Sequence, residues 1–227
     1  MSVQPALVFD SNGTLLDLSV LDPKFEEAFG TATGRQLWLD ELLRTSMAIS
    51  LAGGYSDFST LADAALDKVA AEREIRLAAT TKQDIIGLVG KLPPYPEVKA
   101  ALSRLKDAGF RLAVLTNSAP DSVRQQMERS ELAPLFDKIM SVEPSRRYKP
   151  APEPYQMAAQ ELDMAIGDLM MIAAHDWDVL GAMHAGCGGT FLRRPGQVWL
   201  STFEQPLIVA DDLADAADQI ISKFGSS

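Results

Sequence analysis

The sequence predicts an α/β fold, a doubly wound parallel sheet with an inserted helical block, and three observations carry that prediction. Short apolar runs recur and each ends in a polar or small turn; amphipathic stretches separate them; one long interval holds helical patterns alone. Parallel neighbours need a crossover between them, usually a helix, and the alternation supplies it.

The first run is "ALVFD" (6–10), in which apolar residues lead straight into the carboxylate of Asp10 and then a Gly-Thr turn. From about residue 18 to 93 no strand-like run follows. Instead "WLDELLRTSMAISLAGG", "FSTLADAALDKVAAERE" and "TTKQDIIGLVGKL" read as successive helices, and the Pro-rich "KLPPYPEV" as a stiff return. "PEVKAALSRLKDAG" sets Val98, Ala101, Leu102 and Leu105 at helical spacing, with Gly109 as its stop. The remaining runs are "RLAVLTNS" (111–118), "KIMSVE" (138–143), "LMMIAAHD" (169–176) and "GTFLR" (189–193); Met170 and Met171 belong to a buried strand. The organisation is therefore a Rossmann-like core, 1–17 and 94–227, with a helical cap, 18–93. In the cap, Leu42, Leu43, Met47 and Leu51 read as a packing stripe rather than a substrate groove, with Trp38 and Phe58 as the residues facing the site.

With 227 residues, 47% of them hydrophobic, the chain can bury a full core as one domain carrying an insertion. A formal charge of −10 repels polyanions and argues against nucleic acid and anionic membranes as partners. The chain has no apolar run long enough to span a bilayer, and "MSVQPALVFD" has neither the basic nor the apolar region of a signal peptide; a cytoplasmic protein is expected. The single cysteine, Cys187, excludes an internal disulfide and suits a reducing compartment; within "HAGCGG" it reads as a small packed residue, not a nucleophile. The "RRPG" turn, 193–196, reads as a solvated loop.

Ligands of such sheets bind at the carboxyl ends of the strands. Asp10, Thr116, Asn117, Lys149 and Asp178 all follow predicted strand ends or the turns beyond them, and so form one candidate site. Taken singly, Asp10 and Asp178 would serve as helix N-caps and Lys149 as a surface lysine. Taken together they suit a different task. A desolvated carboxylate stays ionised only beside a cation and hydrogen-bond donors; Lys149, in a rigid Lys-Pro turn, is the natural cation. Thr14 and Thr116 offer hydroxyls and Asn117 an amide.

The segments "FDSNGTLLD", "LTNS", "YKPAPEPY" and "IAAHDWDVLGA" resemble, in order and spacing, the four motifs of the haloacid dehalogenase superfamily, and the helical insertion matches that family's cap. The resemblance covers nearly the whole chain. It implies that Asp10 is a nucleophile whose carboxylate forms a covalent ester that water later opens. Phosphatases of the superfamily carry a second aspartate two residues after the nucleophile and a Gly-Asp pair shortly before the last acid; this chain has Asn12, Ala173 and Ala174 there. Oxygen ligands that a hard cation requires are thereby replaced, so no metal and no other cofactor is expected.

The pattern is instead similar to the type II (S)-2-haloacid dehalogenases, which implies that a short 2-halocarboxylate and water become a 2-hydroxycarboxylate and halide. The small halocarboxylate is the implied partner, and the family leaves room for a homodimer through cap and core helices. In that resemblance Asp178 positions or activates the hydrolytic water, Lys149 balances charge and Trp177 walls the pocket. His175 stands where the family has a polar amide; it either orients or deprotonates the water or packs against Trp177. The family's cap arginine falls on Leu39, which leaves Arg44 or Arg35, a turn or so away, to meet an anion, although the default reading of Arg44 is a solvated cap residue. Asn12, Thr116, Asn117, Trp177, Leu39, Arg44 and Phe58 form the implied substrate pocket. Two rivals stand beside this reading: a phosphatase with an atypical metal site, and a non-catalytic binding protein on the same fold.

Overall fold

The computed structural model describes residues 4–31 and 33–225. Six parallel strands, β1 (Ala6–Phe9), β2 (Leu112–Thr116), β3 (Lys138–Ser141), β4 (Leu169–Ala173), β5 (Gly188–Leu192) and β6 (Ile208–Ala210), form one sheet in the order 3-2-1-4-5-6. β1, β2 and β4 are buried at every residue, which is why they read as continuous apolar runs rather than alternating ones. β6 was not predicted. It has three residues inside "EQPLIVADD", too short for a periodicity to register.

Among the described residues of 18–93 there is no strand. After a 3₁₀ turn (Leu18–Leu21) come α1 (Asp22–Phe29), α2 (Gly34–Leu51), α3 (Phe58–Glu72) and α4 (Ala79–Val89). The last three are the predicted helices. α1 was unassigned, although Pro23 in its first turn and a left-handed Gly30 at its end are ordinary boundary signals. α3 starts where Asp57 accepts the Thr60 backbone N–H at 2.8 Å. The chain leaves and re-enters the sheet region side by side, because Leu16 bridges Pro94 and the Asp17 N–H donates to Pro93 O at 2.8 Å.

The core continues through α5 (Val98–Asp107), α6 (Pro120–Arg129), α7 (Pro152–Leu162), α8 (Asp176–Ala185) and α9 (Leu213–Phe224). Val98, Ala101, Leu102 and Leu105 are buried as their spacing required, and Gly109 takes φ +86° just past the end of α5. Crossovers carry the chain outward from β1 through β2 to β3, then back past β1 to β4. The reversal point lies between β1 and β4. Their carboxyl ends open a crevice there, and the register of Phe9 with Ile172 sets Asp10 level with Ala173. No helix among the described residues is long and apolar enough to cross a membrane.

One close approach holds the crevice together. α8 passes so near the turn after Lys149 that a Cβ added to Gly181 would lie 2.4 Å from Pro150 Cβ and 2.7 Å from its carbonyl oxygen. A methyl there must push Pro150, and Lys149 with it, off the sheet. Gly181→Ala is therefore expected to lower stability by about 1–3 kcal/mol, as overpacking does, despite alanine's better helix propensity. Urea unfolding midpoints of the two proteins measure it; an unchanged or raised midpoint would contradict the packing.

Candidate active site

Asp10 leaves the tip of β1, and its backbone N–H still bonds Ile172 O at 3.1 Å. The chain then turns at Gly13, whose φ of +80° suits glycine and whose missing side chain gives room to the imidazole of His175; a Cβ there would come within 3.2 Å of that ring. The tight turn returns Thr14 to the aspartate. Its hydroxyl donates to Asp10 Oδ2 at 2.9 Å and accepts the Ala174 N–H at 3.0 Å, which ties β1 to the end of β4.

Lys149 has no solvent exposure. Its ammonium donates to Asp10 Oδ1 at 2.9 Å, Asp178 Oδ2 at 2.6 Å and Leu115 O at 2.8 Å. Three donors meet three acceptors, so the charge is fully hydrogen-bonded. Burial opposes protonation of this amine, but the two carboxylates outweigh burial and raise its pKa above the ordinary value. Burial also acts against the Asp10 carboxylate; Lys149 and the His175 hydrogen bond reverse that and hold it well below the usual range. Asp178 is the other member of the cluster, and burial pushes it upward. Of the two carboxylates, Asp10 is the one whose charged form its surroundings favour more.

His175 sits on the other side of Asp10 from Lys149, with Nδ1 3.1 Å from Asp10 Oδ2 and its ring stacked on Trp177, centroids 5.3 Å apart. A carboxylate oxygen only accepts, so Nδ1 carries the proton in this contact, which in the neutral tautomer leaves the lone pair on Nε2. Of the two options foreseen for this histidine, the packing on Trp177 is present, and the ring also touches the Asp10 carboxylate.

A cavity of about 430 Å³ opens over Asp10. Asn12, Thr116, Asn117, His175 and Trp177 line its core side, and Leu39 and Phe58 its helical side. Asn12 is held by Gln126, whose amide donates to it at 3.0 Å and to Val89 O at 2.7 Å, and Asn12 in turn donates to Ser118 at 3.2 Å. Asn117 turns its carbonyl away to accept the Lys149 backbone N–H at 3.1 Å. Thr116 Oγ1 accepts the Ser118 N–H at 3.2 Å rather than reaching Asp10.

Several expectations are corrected. Arg44 lies outside the cavity: its guanidinium pairs with Glu41 on the outer face of α2, and Arg35 pairs with Asp22, so neither reaches an anion beside Asp10. Leu42 and Leu43 line the cavity instead of only packing, while Leu51 is 92% exposed. Asp178 does not line the cavity. It is fully buried, with one oxygen on Lys149 and the other accepting the Tyr155 hydroxyl at 2.6 Å, so it positions the lysine and has no route to a water in the pocket. Arg194 is not a solvated loop residue either. It is buried, donates to Thr14 O at 2.9 and 3.1 Å, pairs with Glu97 at 2.7 Å and stacks on Tyr95. Cys187 is buried, and its thiol is pushed up to about 12 by burial, consistent with a packed residue.

The sequence reading missed Tyr155, Gln126 and Arg194 as parts of the site. Tyr155 stood inside the "YKPAPEPY" segment and could have been found there; Gln126 and Arg194 carry no local signal, since only the fold brings them to Asn12 and Thr14.

Residues 5–186 match the family model of the haloacid dehalogenase-like hydrolases. The chain belongs to that family. Within it, this hydrolase is similar to the (S)-2-haloacid dehalogenase H-109 of Pseudomonas putida, 29% identical over 218 residues covering 95% of this chain and 97% of that one. It is also similar to (S)-2-haloacid dehalogenase 1 of Pseudomonas sp. (strain CBS-3), 31% identical over 179 residues, 78% of this chain and 79% of the relative. Among solved structures, the L-2-haloacid dehalogenase of Xanthobacter autotrophicus with chloropropionic acid covalently bound superposes with a TM-score of 0.87 at 24% identity, over 96% of this chain and 98% of that one, a likeness of fold.

The buried charge cluster of the hydrolase makes a prediction about stability. Lys149→Met leaves two carboxylates buried without their cation and is expected to cost about 3–5 kcal/mol. The folded pKa of Asp10 lies below the unfolded one, so its contribution is present above about pH 4 and is lost as pH falls towards the folded value. Asp10→Asn should therefore flatten the loss of stability between pH 5 and pH 3. Chemical denaturation across that range reads both, and an acid limb of unchanged steepness in Asp10→Asn would contradict the assignment.

Proposed function

We propose that this protein hydrolyses 2-halocarboxylates to 2-hydroxycarboxylates and halide through an ester on Asp10. One observation carries the reading: an ionised, almost fully buried carboxylate, held by Lys149, Thr14 and His175, forms the floor of a cavity of about 430 Å³. The named relatives support the choice of substrate. In this reading the helices of 18–93 act as the cap over the nucleophile.

In the first step an Asp10 oxygen attacks Cα of the substrate, a C–O bond forms, and the C–halogen bond breaks with its electron pair leaving on the halide. No proton is needed, which is consistent with Asn12 at the position where a phosphatase would keep an acid. Lys149 then sits between a neutral ester and Asp178, so the cluster passes from one net negative charge to none. In the second step water adds to the ester carbonyl carbon and gives one proton to the unprotonated nitrogen of His175. The alkyl C–O bond is kept and the acyl C–O bond breaks; the leaving alkoxide takes the water's other proton and departs as the hydroxy acid, Asp10 regains its charge, and the proton on His175 passes to solvent. His175 is the titratable side chain that both touches Asp10 and lines the cavity; Asp178 does neither. Asp178 and Tyr155 act as positioning residues through Lys149.

The rivals separate in one assay. Halide release from 2-chloropropionate and phosphate release from p-nitrophenyl phosphate are measured with Mg²⁺ and with EDTA; halide release indifferent to both is expected, and Mg²⁺-dependent phosphate release alone would favour the phosphatase. Asp10→Asn should release no halide. In ¹⁸O water a single turnover should place the label on Asp10, and label found only in the product would end the ester mechanism. His175→Ala should give about one halide per active site rapidly and then turn over roughly 10²–10⁴-fold more slowly, because the ester forms but is not opened. Equal slowing of both steps would instead make the imidazole a positioning group.

A further inference from the structure

The cavity over Asp10 is larger and more apolar than a three-carbon acid requires. Its volume of about 430 Å³ would hold on the order of a dozen water-sized groups, whereas a halopropionate has about six non-hydrogen atoms, half of that number. The two sides differ in kind. Asn12, Asn117 and Ser118 bring hydrogen-bonding groups to the core side, next to the nucleophile, while Leu39, Leu43 and Ile86 present hydrocarbon from α2 and α4. No guanidinium of α2 interrupts that hydrocarbon, because Arg35 and Arg44 are paired with Asp22 and Glu41 away from the cavity. The cations that do line it, Lys91 and Arg129, are exposed, and Arg129 is engaged with Gly90 O at 2.9 Å.

An apolar wall of this extent contributes to binding only if the ligand covers it; a short acid would leave it facing water. We infer that the preferred substrates are 2-halocarboxylates whose Cα bears a hydrophobic chain of about four to eight carbons, with the carboxylate on the polar core side and the chain against α2 and α4. This rests on the dehalogenase reading and replaces the short substrate expected from the sequence. Leu39 is its specificity-determining residue. It occupies the hydrocarbon side of the pocket, where a charged side chain would make burial of an alkyl chain unfavourable.

The test is a homologous series, 2-bromopropionate, 2-bromohexanoate, 2-bromooctanoate and 2-bromodecanoate, each held below its micellar concentration, with kcat/KM read from bromide release. Each buried methylene should raise kcat/KM by about fourfold until the chain fills the cavity, so that the six-carbon acid exceeds the three-carbon acid by some fiftyfold or more. Leu39→Arg should flatten or invert the series. A flat or falling series in the unsubstituted protein, with short acids turned over, would overturn this inference while leaving the dehalogenase reading intact. If no member releases bromide, that reading fails, and calorimetric binding of octanoate against propionate decides the inference alone. Octanoate at least tenfold tighter supports the hydrophobic pocket; equal affinities overturn it.

Discussion

The ammonium of Lys149 is the interaction on which the site depends. It joins three strand ends, since Asp10 follows β1, the Leu115 carbonyl belongs to β2, and Asp178 lies in the first turn of the helix after β4. Two carboxylates at the carboxyl ends of adjacent strands would repel each other in a site without water to screen them. With the lysine between them, the same crowding becomes a clamp. The cluster retains one net negative charge, which the Thr14 hydroxyl and the His175 N–H meet at Asp10 itself. Removing the cation leaves charge buried without a partner, far more costly than the small net value of an exposed ion pair.

Around this clamp a second layer fixes geometry, and of its three members only Gln126 also lines the cavity. Tyr155 holds Asp178, Arg194 holds the Thr14 carbonyl, and Gln126 holds Asn12. Arg194 is informative because its guanidinium is engaged with Thr14 O, Glu97 and the Tyr95 ring; a buried cation held in this way is a strut for the turn after Asp10. The Asp10 carboxylate therefore stands on a rigid base, while the opposite wall, made of helices between residues 18 and 93, is lined largely by hydrocarbon.

The replacement of acidic and hydroxylic residues near the nucleophile by Asn12, Ala173 and Ala174 has a coherent structural result. Asn12 is locked as a neutral hydrogen-bonded group by Gln126 and Ser118, and the Ala174 N–H is consumed by Thr14. What remains able to exchange a proton on the cavity side next to Asp10 is His175, and its contact with both Asp10 and Trp177 gives it a fixed orientation.

The sequence alone determined the strand–helix alternation, five of six strands, three of the four helices between residues 18 and 93, and the residues gathered around Asp10, because these are local: buried strands show as apolar runs, and each polar motif follows one within a few residues. β6 and α1 escaped because three residues and eight residues are too few for periodicity to stand out. Only the tertiary structure decided which way side chains point. Arg44 and Leu43 are neighbours in sequence, yet one pairs with Glu41 outside and the other lines the cavity, and Asp178 proved to lie behind Lys149 rather than before the substrate. A helix turns about 100° per residue, so a register uncertain by one position exchanges inside for outside, and that ambiguity is removed only when the helix packs.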